Sequence, residues 1–192
     1  MASKRTIIKI QYDSPVILTF SLLCLLSMFV NYLTNNAAQG LLFSVYRSSF
    51  TDPLTYVRLF THVLGHADIG HFLGNICLVL VLGPVVESRY SSKRLFWAIV
   101  VTALVTGLVH IAIFSKVALL GASGIVFMLI FLSSVSGIRG GNIPVSLILV
   151  AVIYLGQEVL DMFLSDNISQ LTHIVGGLCG IVMGFRMAKK RR

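Results

Sequence analysis

A serine, two histidines and an asparagine stand inside otherwise apolar stretches of this chain: Ser123, His173, His71 and Asn75. A serine hydroxyl is a weak nucleophile until a neighbouring base takes its proton, and a histidine with an ordinary pKa near 6.5 suits that task. His71 and Asn75 are four residues apart, which puts them on one helix face as paired hydrogen-bond donors for a developing oxyanion. Ser123 sits in Gly121-Ala122-Ser123-Gly124, where glycines interrupt the apolar run. If a helix starts there, its first backbone N–H groups, at Ala122 and Ser123, stand unpaired beside the hydroxyl. The chemistry these residue types describe is acyl transfer by a Ser–His dyad, with no third carboxylate: Glu158 and Asp161 lie near the end of another apolar stretch, and nothing places them behind His173.

Other chemistries find fewer parts. There is no His-Glu-x-x-His pattern, and His62, His66 and His71, at spacings of four and five, could bind zinc but lack a catalytic carboxylate for zinc hydrolysis. Asp161 has no partner for an aspartyl dyad. A transporter usually shows an internal repeat with broken helices, and none is evident. Cys24, Cys77 and Cys179 lie in apolar runs with no metal or disulfide spacing and read as packing residues. No cofactor is implied.

The elements that would carry these groups are membrane spans. Hydrophobic residues make up 56% of the 192 residues, charged residues 11%, and the mean hydropathy is +0.91; soluble domains carry roughly 25% charged residues. Six spans are expected in one domain covering 1–192: Pro15–Leu33, Gly70–Val86, Leu95–Phe114, Leu119–Val135, Ile143–Leu164 and Leu171–Met187. The first is too long for a signal-peptide core and lacks a good cleavage site at Ala37–Ala38. The net charge of +8 reflects topology, not nucleic-acid binding. Lys4, Arg5, Lys9, Arg89, Lys93, Arg94, Arg139, Arg186, Lys189, Lys190, Arg191 and Arg192 fall at one set of span ends, against Arg47, Arg58 and Lys116 at the other. Both termini are therefore expected in the cytoplasm.

At about 1.5 Å of rise per residue, Asn75 lies about 18 Å and His71 about 24 Å above Glu87. Ser123 lies about 24 Å above Arg139, and His173 about 20 Å above Arg186. Three helices thus bring the four groups to one depth, somewhat below the outer surface of a hydrocarbon core about 30 Å thick. Polar side chains are costly there and mark function by default. His173 also opens a stripe of Gly176, Gly177, Gly180 and Gly184, on which another helix can approach closely. Phe127, one turn after Ser123, faces the same way and can meet the His173 ring. Residues 34–69 form a long outer loop whose apolar stretches, Leu41–Val45 and Leu59–Leu64, are expected in the membrane interface.

His66 with His71-x-x-x-Asn75, Gly121-x-Ser123-Gly124, and His173-x-x-Gly176-x-x-x-Gly180 occur in that order on spans 2, 4 and 6. In this the chain resembles the rhomboid intramembrane serine proteases, over essentially its whole length and in their minimal six-helix bacterial form. The resemblance implies an all-α bundle of six transmembrane helices with a long outer loop between helices 1 and 2. It implies Ser123 as nucleophile, His173 as general base, and His71, Asn75 and the backbone of Ala122 and Ser123 as oxyanion hole. It further implies supporting roles for Gly121, Gly124, Phe127, Gly176, Gly180, Arg58 and Glu87, the last as a buried structural acid, with span 5 as a mobile lateral gate. Two positions depart: Val57-Arg58 stands where the family usually has Trp-Arg, and Phe127 where it often has Tyr.

The expected activity is hydrolysis of peptide bonds in or near transmembrane segments of other membrane proteins, mostly single-span ones, in a plasma or inner membrane. The partners implied are such substrates and membrane lipid, without nucleic acid. The alternatives are an inert escort of the same fold and a small transporter.

Overall fold

The computed structural model describes residues 12–115, 117–137, 142, 144–150, 152–153 and 168–189. Eight α-helices are seen among them: α1 (Pro15–Leu33), α2 (Ala37–Leu42), α3 (Pro53–Thr61), α4 (Ile69–Tyr90), α5 (Ser92–Ile113), α6 (Ser123–Val135), α7 (Val145–Val150) and α8 (Ile168–Lys189). No strand occurs among the described residues; Val45 and Leu119 form an isolated antiparallel bridge. Helices α1, α4 and α5 are long and apolar enough to cross a membrane. Of the expected fifth span, only residues 144–150 and 152–153 are described; Glu158 and Asp161 lie outside the described residues, as do Lys116 and Arg139.

Helix α1 buries Ile17, Phe20, Cys24, Ser27 and Asn31, a single stripe, and turns Leu22, Leu25, Leu26 and Phe29 outward. An outward leucine face is stable only where the solvent is lipid. Pro15 opens the helix, where its missing N–H costs nothing. Ser14 gives no side-chain cap; instead Glu87, from α4, accepts the Val16 and Ile17 N–H groups on its two carboxylate oxygens at 3.1 Å each. This carboxylate, 3% exposed, satisfies donors that would otherwise be orphaned at a helix start. Above it, Ile17 fills the notch left by Gly83: a Cβ there would lie 2.6 Å from Ile17 Cγ1.

Helix α6 is buried on nearly every side from Gly124 to Leu132, as an apolar-all-round helix must be. Its 13 residues span only about 20 Å. It starts at Ser123, four residues later than the sequence pattern suggests, because Leu119 is drawn into the bridge with Val45. Its most extensive contact is with α8, where Gly176 and Gly180 lie against the backbone carbonyls of Gly124 and Met128, and Gly184 against Val135. Helices α4, α5 and α7 and the 3-10 turn at His62–Leu64 also pack against it.

Between α1 and α4 the chain folds into α2, α3 and a 3-10 turn at His62–Leu64. Asp52 caps α3 through the Leu54 N–H at 3.0 Å, and Pro53 supplies the preset first turn. Arg58 ties this region together: Nη1 to Asp52 at 3.1 Å, Nε to the Leu41 carbonyl at 2.9 Å, and the guanidinium 4.7 Å above the Tyr46 ring. Arg47 donates to the carbonyls of Ile111 and Ala112 at the C-terminal end of α5. The apolar stretches expected at the interface divide: Val45, Leu59 and Val63 are buried in protein, while Leu41 and Phe60 stay exposed.

Candidate active site

The turn before Ser123 is held from three directions. His110 Nε2 donates to the Val117 carbonyl at 2.9 Å. Val45 and Leu119 exchange two backbone bonds of 2.9 and 2.8 Å. The Gly121 N–H donates to the His62 carbonyl at 3.0 Å. Gly121 has φ +126°, a conformation that side chains resist, and a Cβ there would press within 2.8 Å of His71 Cε1. Glycine at this point therefore serves both the turn and the approach of the imidazole. Ala122 occupies the N-cap of α6 and has no side-chain group to offer, so the first-turn N–H groups are not capped locally.

Asp68 caps α4 by accepting the His71 N–H at 2.8 Å, which fixes the first turn on which His71 stands. The His66 ring stands edge-on to both His71 and Phe72, at centroid distances of 5.2 and 5.4 Å. Asn75, one turn deeper, is 7% exposed, and its Nδ2 is buried with no hydrogen-bond partner among the described residues. On α8, the His173 ring stacks on Phe127 of α6, with centroids 4.4 Å apart and planes within 5°.

These elements enclose a cavity of about 420 Å³ lined by Gly70, His71, Gly74, Asn75, Leu119, Leu120, Ser123, Phe127 and His173, among others. The structure thus brings Ser123, His173, His71 and Asn75 together on one wall-to-wall site, with Gly121, Ala122 and Gly124 in the turn behind. Gly176 and Gly180 lie along the α6–α8 seam. Arg58 and Glu87 stand away from the cavity, one tying down the loop and the other capping α1. Among the described residues no group of three or more His, Cys, Asp or Glu side chains is arranged to hold a metal.

Sequence reasoning overlooked His110 and Thr106. Both are buried on α5. Thr106 Oγ1 lies 3.4 Å from His62 Nε2 and donates to the Thr102 carbonyl at 2.8 Å. His62 Nδ1 donates to the Arg58 carbonyl at 3.1 Å. Burial pushes the imidazoles of His62 and His66 down to about 4, so both stand neutral. A histidine in the middle of the Leu104–Ile113 run was the signal for His110.

A helical protein with several membrane-crossing segments and a polar cavity sunk among them is the class that fold and site define. The rhomboid domain model matches residues 53–190, which takes in every cavity residue, and the chain belongs to the rhomboid family. It is a multi-pass membrane protein. It is 32% identical over 135 residues to a rhomboid protease GlpG of Enterobacter sp. (strain 638), covering 67% of this chain and 47% of that protein. It is 31% identical over 132 residues to one from Salmonella paratyphi A (strain ATCC 9150 / SARB42), with the same coverage. The chain thus spans about half the length of the curated relatives it matches (47%).

Proposed function

We propose that the protein is an intramembrane serine endopeptidase in which Ser123 is the nucleophile and His173 its general base. The observation that carries this reading is the shared cavity: Ser123, His173, His71 and Asn75 line one space of about 420 Å³, with the imidazole of His173 stacked on Phe127. Six spans with both termini in the cytoplasm complete the proposed architecture, on the strength of the basic residues at alternate span ends.

His173 takes the proton from Ser123 Oγ as that oxygen attacks the scissile carbonyl. The oxyanion forms among the His71 ring, Asn75 Nδ2 and the N–H groups of Ala122 and Ser123. Asn75 suits this part, since its buried Nδ2 has no competing acceptor among the described residues. The protonated imidazole then delivers its proton to the leaving amine, and water hydrolyses the acyl-enzyme by the reverse sequence. A transmembrane helix hides its carbonyls in hydrogen bonds, so the substrate must unwind locally at the cavity. Segments with helix-weakening and small residues are the expected targets.

The test is cleavage of a labelled single-span substrate by purified protein, beside Ser123→Ala and His173→Ala. Both substitutions should abolish turnover with the melting temperature retained, and a fluorophosphonate should label wild type at Ser123 alone. Cleavage surviving both would mean another nucleophile. A folded protein that neither cleaves nor labels would be an escort or transporter instead.

A further inference from the structure

Away from the cavity just described, α1 and α5 splay apart and leave a groove of about 500 Å³. Its walls are Thr19 and Leu23 of α1 and Phe96 and Val100 of α5, and Phe60 and Leu64 close one end as a roof. Pro15 to Leu23 and Phe96 to Ala103 each cover only about 10–12 Å of helix. That is less than half of a hydrocarbon core about 30 Å thick. The groove is therefore one leaflet deep. A transmembrane helix laid into it would run into the roof, whereas a single acyl chain ends there.

Pro15 also lines a second cavity of about 470 Å³ at the N-terminal end of α1. Its lining mixes apolar Pro84 and Val85 with the polar side chains of Asp13, Ser14, Glu87, Ser88, Ser91 and Ser92. Both oxygens of Glu87 are engaged by the Val16 and Ile17 N–H groups, so Asp13 is the carboxylate presented to an occupant. Lys93, exposed, follows Ser92 of that lining and lies one turn before Phe96 of the groove wall on α5. The second cavity thus offers a carboxylate and serine hydroxyls, with a lysine next in sequence to its rim.

We propose that the α1–α5 groove and the second cavity, which share Pro15, form a site for one glycerophospholipid with a primary-amine headgroup, of the phosphatidylethanolamine type. One acyl chain fills the groove up to Phe60 and Leu64. The phosphate faces Lys93 and the serine hydroxyls, and the headgroup ammonium faces Asp13. A purely anionic headgroup would bring like charge to Asp13. A quaternary ammonium would have no N–H to donate to that carboxylate.

Native mass spectrometry of the full chain, released from detergent with phosphatidylethanolamine, phosphatidylcholine or phosphatidylglycerol added in turn, tests this. Wild type should retain one phosphatidylethanolamine in preference to the other two. Asp13→Asn should cut that preference about two- to five-fold, the factor an exposed ion pair carries. Val100→Trp should displace all three lipids by filling the groove. Benzophenone-alanine in place of Phe96 should crosslink to lipid. Equal retention of the three lipids by wild type, or an unchanged preference in Asp13→Asn, overturns the headgroup assignment. A crosslink from position 96 to a polypeptide overturns the site as a lipid groove. Should Val100→Trp fail to fold, the Asp13→Asn and crosslinking results still decide.

Discussion

Gly176→Ala is the perturbation that most directly probes how the proposed dyad is positioned. A Cβ at Gly176 would lie 3.0 Å from Gly124 Cα and 2.9 Å from its carbonyl carbon, and closer still to the carbonyl oxygen. Ordinary carbon contacts sit at about 3.5–4.0 Å, so the two helices must separate by about 1 Å. The obstacle is backbone and cannot rotate away. Overpacking of this kind costs about 1–3 kcal/mol. The activity loss should be larger than that stability loss implies. Gly176 is three residues from His173 on the same helix, and Gly124 follows Ser123, so the separation opens between the proposed base and nucleophile themselves. A misplacement of about 1 Å at reacting groups costs about 100-fold in rate. Gly184→Ala is the matched comparison. Its Cβ would press on Val135 Cγ1 at 2.6 Å, eleven residues beyond His173 on α8, so stability should fall similarly while turnover falls less than about ten-fold. Gly40→Ala, where a Cβ would meet nothing within 4 Å, should be neutral. The assay is turnover of the labelled substrate and the rate of fluorophosphonate labelling, with thermal unfolding in the same detergent. Wild-type turnover in Gly176→Ala, or equal activity losses in Gly176→Ala and Gly184→Ala, would refute the reasoning.

Three further outcomes follow from the same contacts. Glu87→Gln leaves one acceptor oxygen for two donors and sets an amide NH2 against the other N–H at the start of α1, and should cost about 1–3 kcal/mol by thermal unfolding, with little effect on turnover per folded molecule. Phe127→Leu removes the ring stacked on His173 and should lower turnover about two- to ten-fold, in line with the energy of an aromatic pair, while Phe127→Tyr should keep it. His62 and His66, whose pKa values fall from 6.5 to about 4 on folding, bind fewer protons folded than unfolded between those values. Stability is therefore full above pH 6.5 and declines as pH falls toward 4; the melting temperature should drop across that window, and His66→Gln should flatten part of the drop.

The helices that cross the membrane were legible because lipid leaves little choice. Pro15–Leu33 was read with the bounds the structure gives, and α4, α5 and α8 within a few residues. The residues of the cavity were legible for the same reason. A His, Asn or Ser in such a stretch is expensive and hence conspicuous, and a common depth groups the candidates. What the pattern could not convey was the shape of residues 34–68. Their helices are short, and their contacts are to backbone: Arg58 to the Leu41 carbonyl, Thr61 to the Leu42 carbonyl, Val45 to Leu119. Backbone partners leave no signature in side-chain periodicity. Glu87 is a similar case, since a carboxylate that caps a distant helix looks in sequence like any acid at a span end.

That loop and the Ser123 turn depend on one another for a physical reason. The described residues between 114 and 122 are not helical, and they lead to a helix only about 20 Å long set within the bundle. Irregular backbone is tolerated at membrane depth only where protein satisfies it. The partners come from the 34–68 segment and α5: Val45 on Leu119, the His62 carbonyl on the Gly121 N–H, and His110 on the Val117 carbonyl. His62 is in turn held by the Arg58 carbonyl, and Arg58 by Asp52 and Leu41. A chain of hydrogen bonds therefore runs from the capped start of α3 to the turn that presents Ser123. Substitutions at Asp52 or Arg58 act on the serine through this chain without touching it, so their effect should show in the labelling rate of Ser123 as well as in the melting temperature.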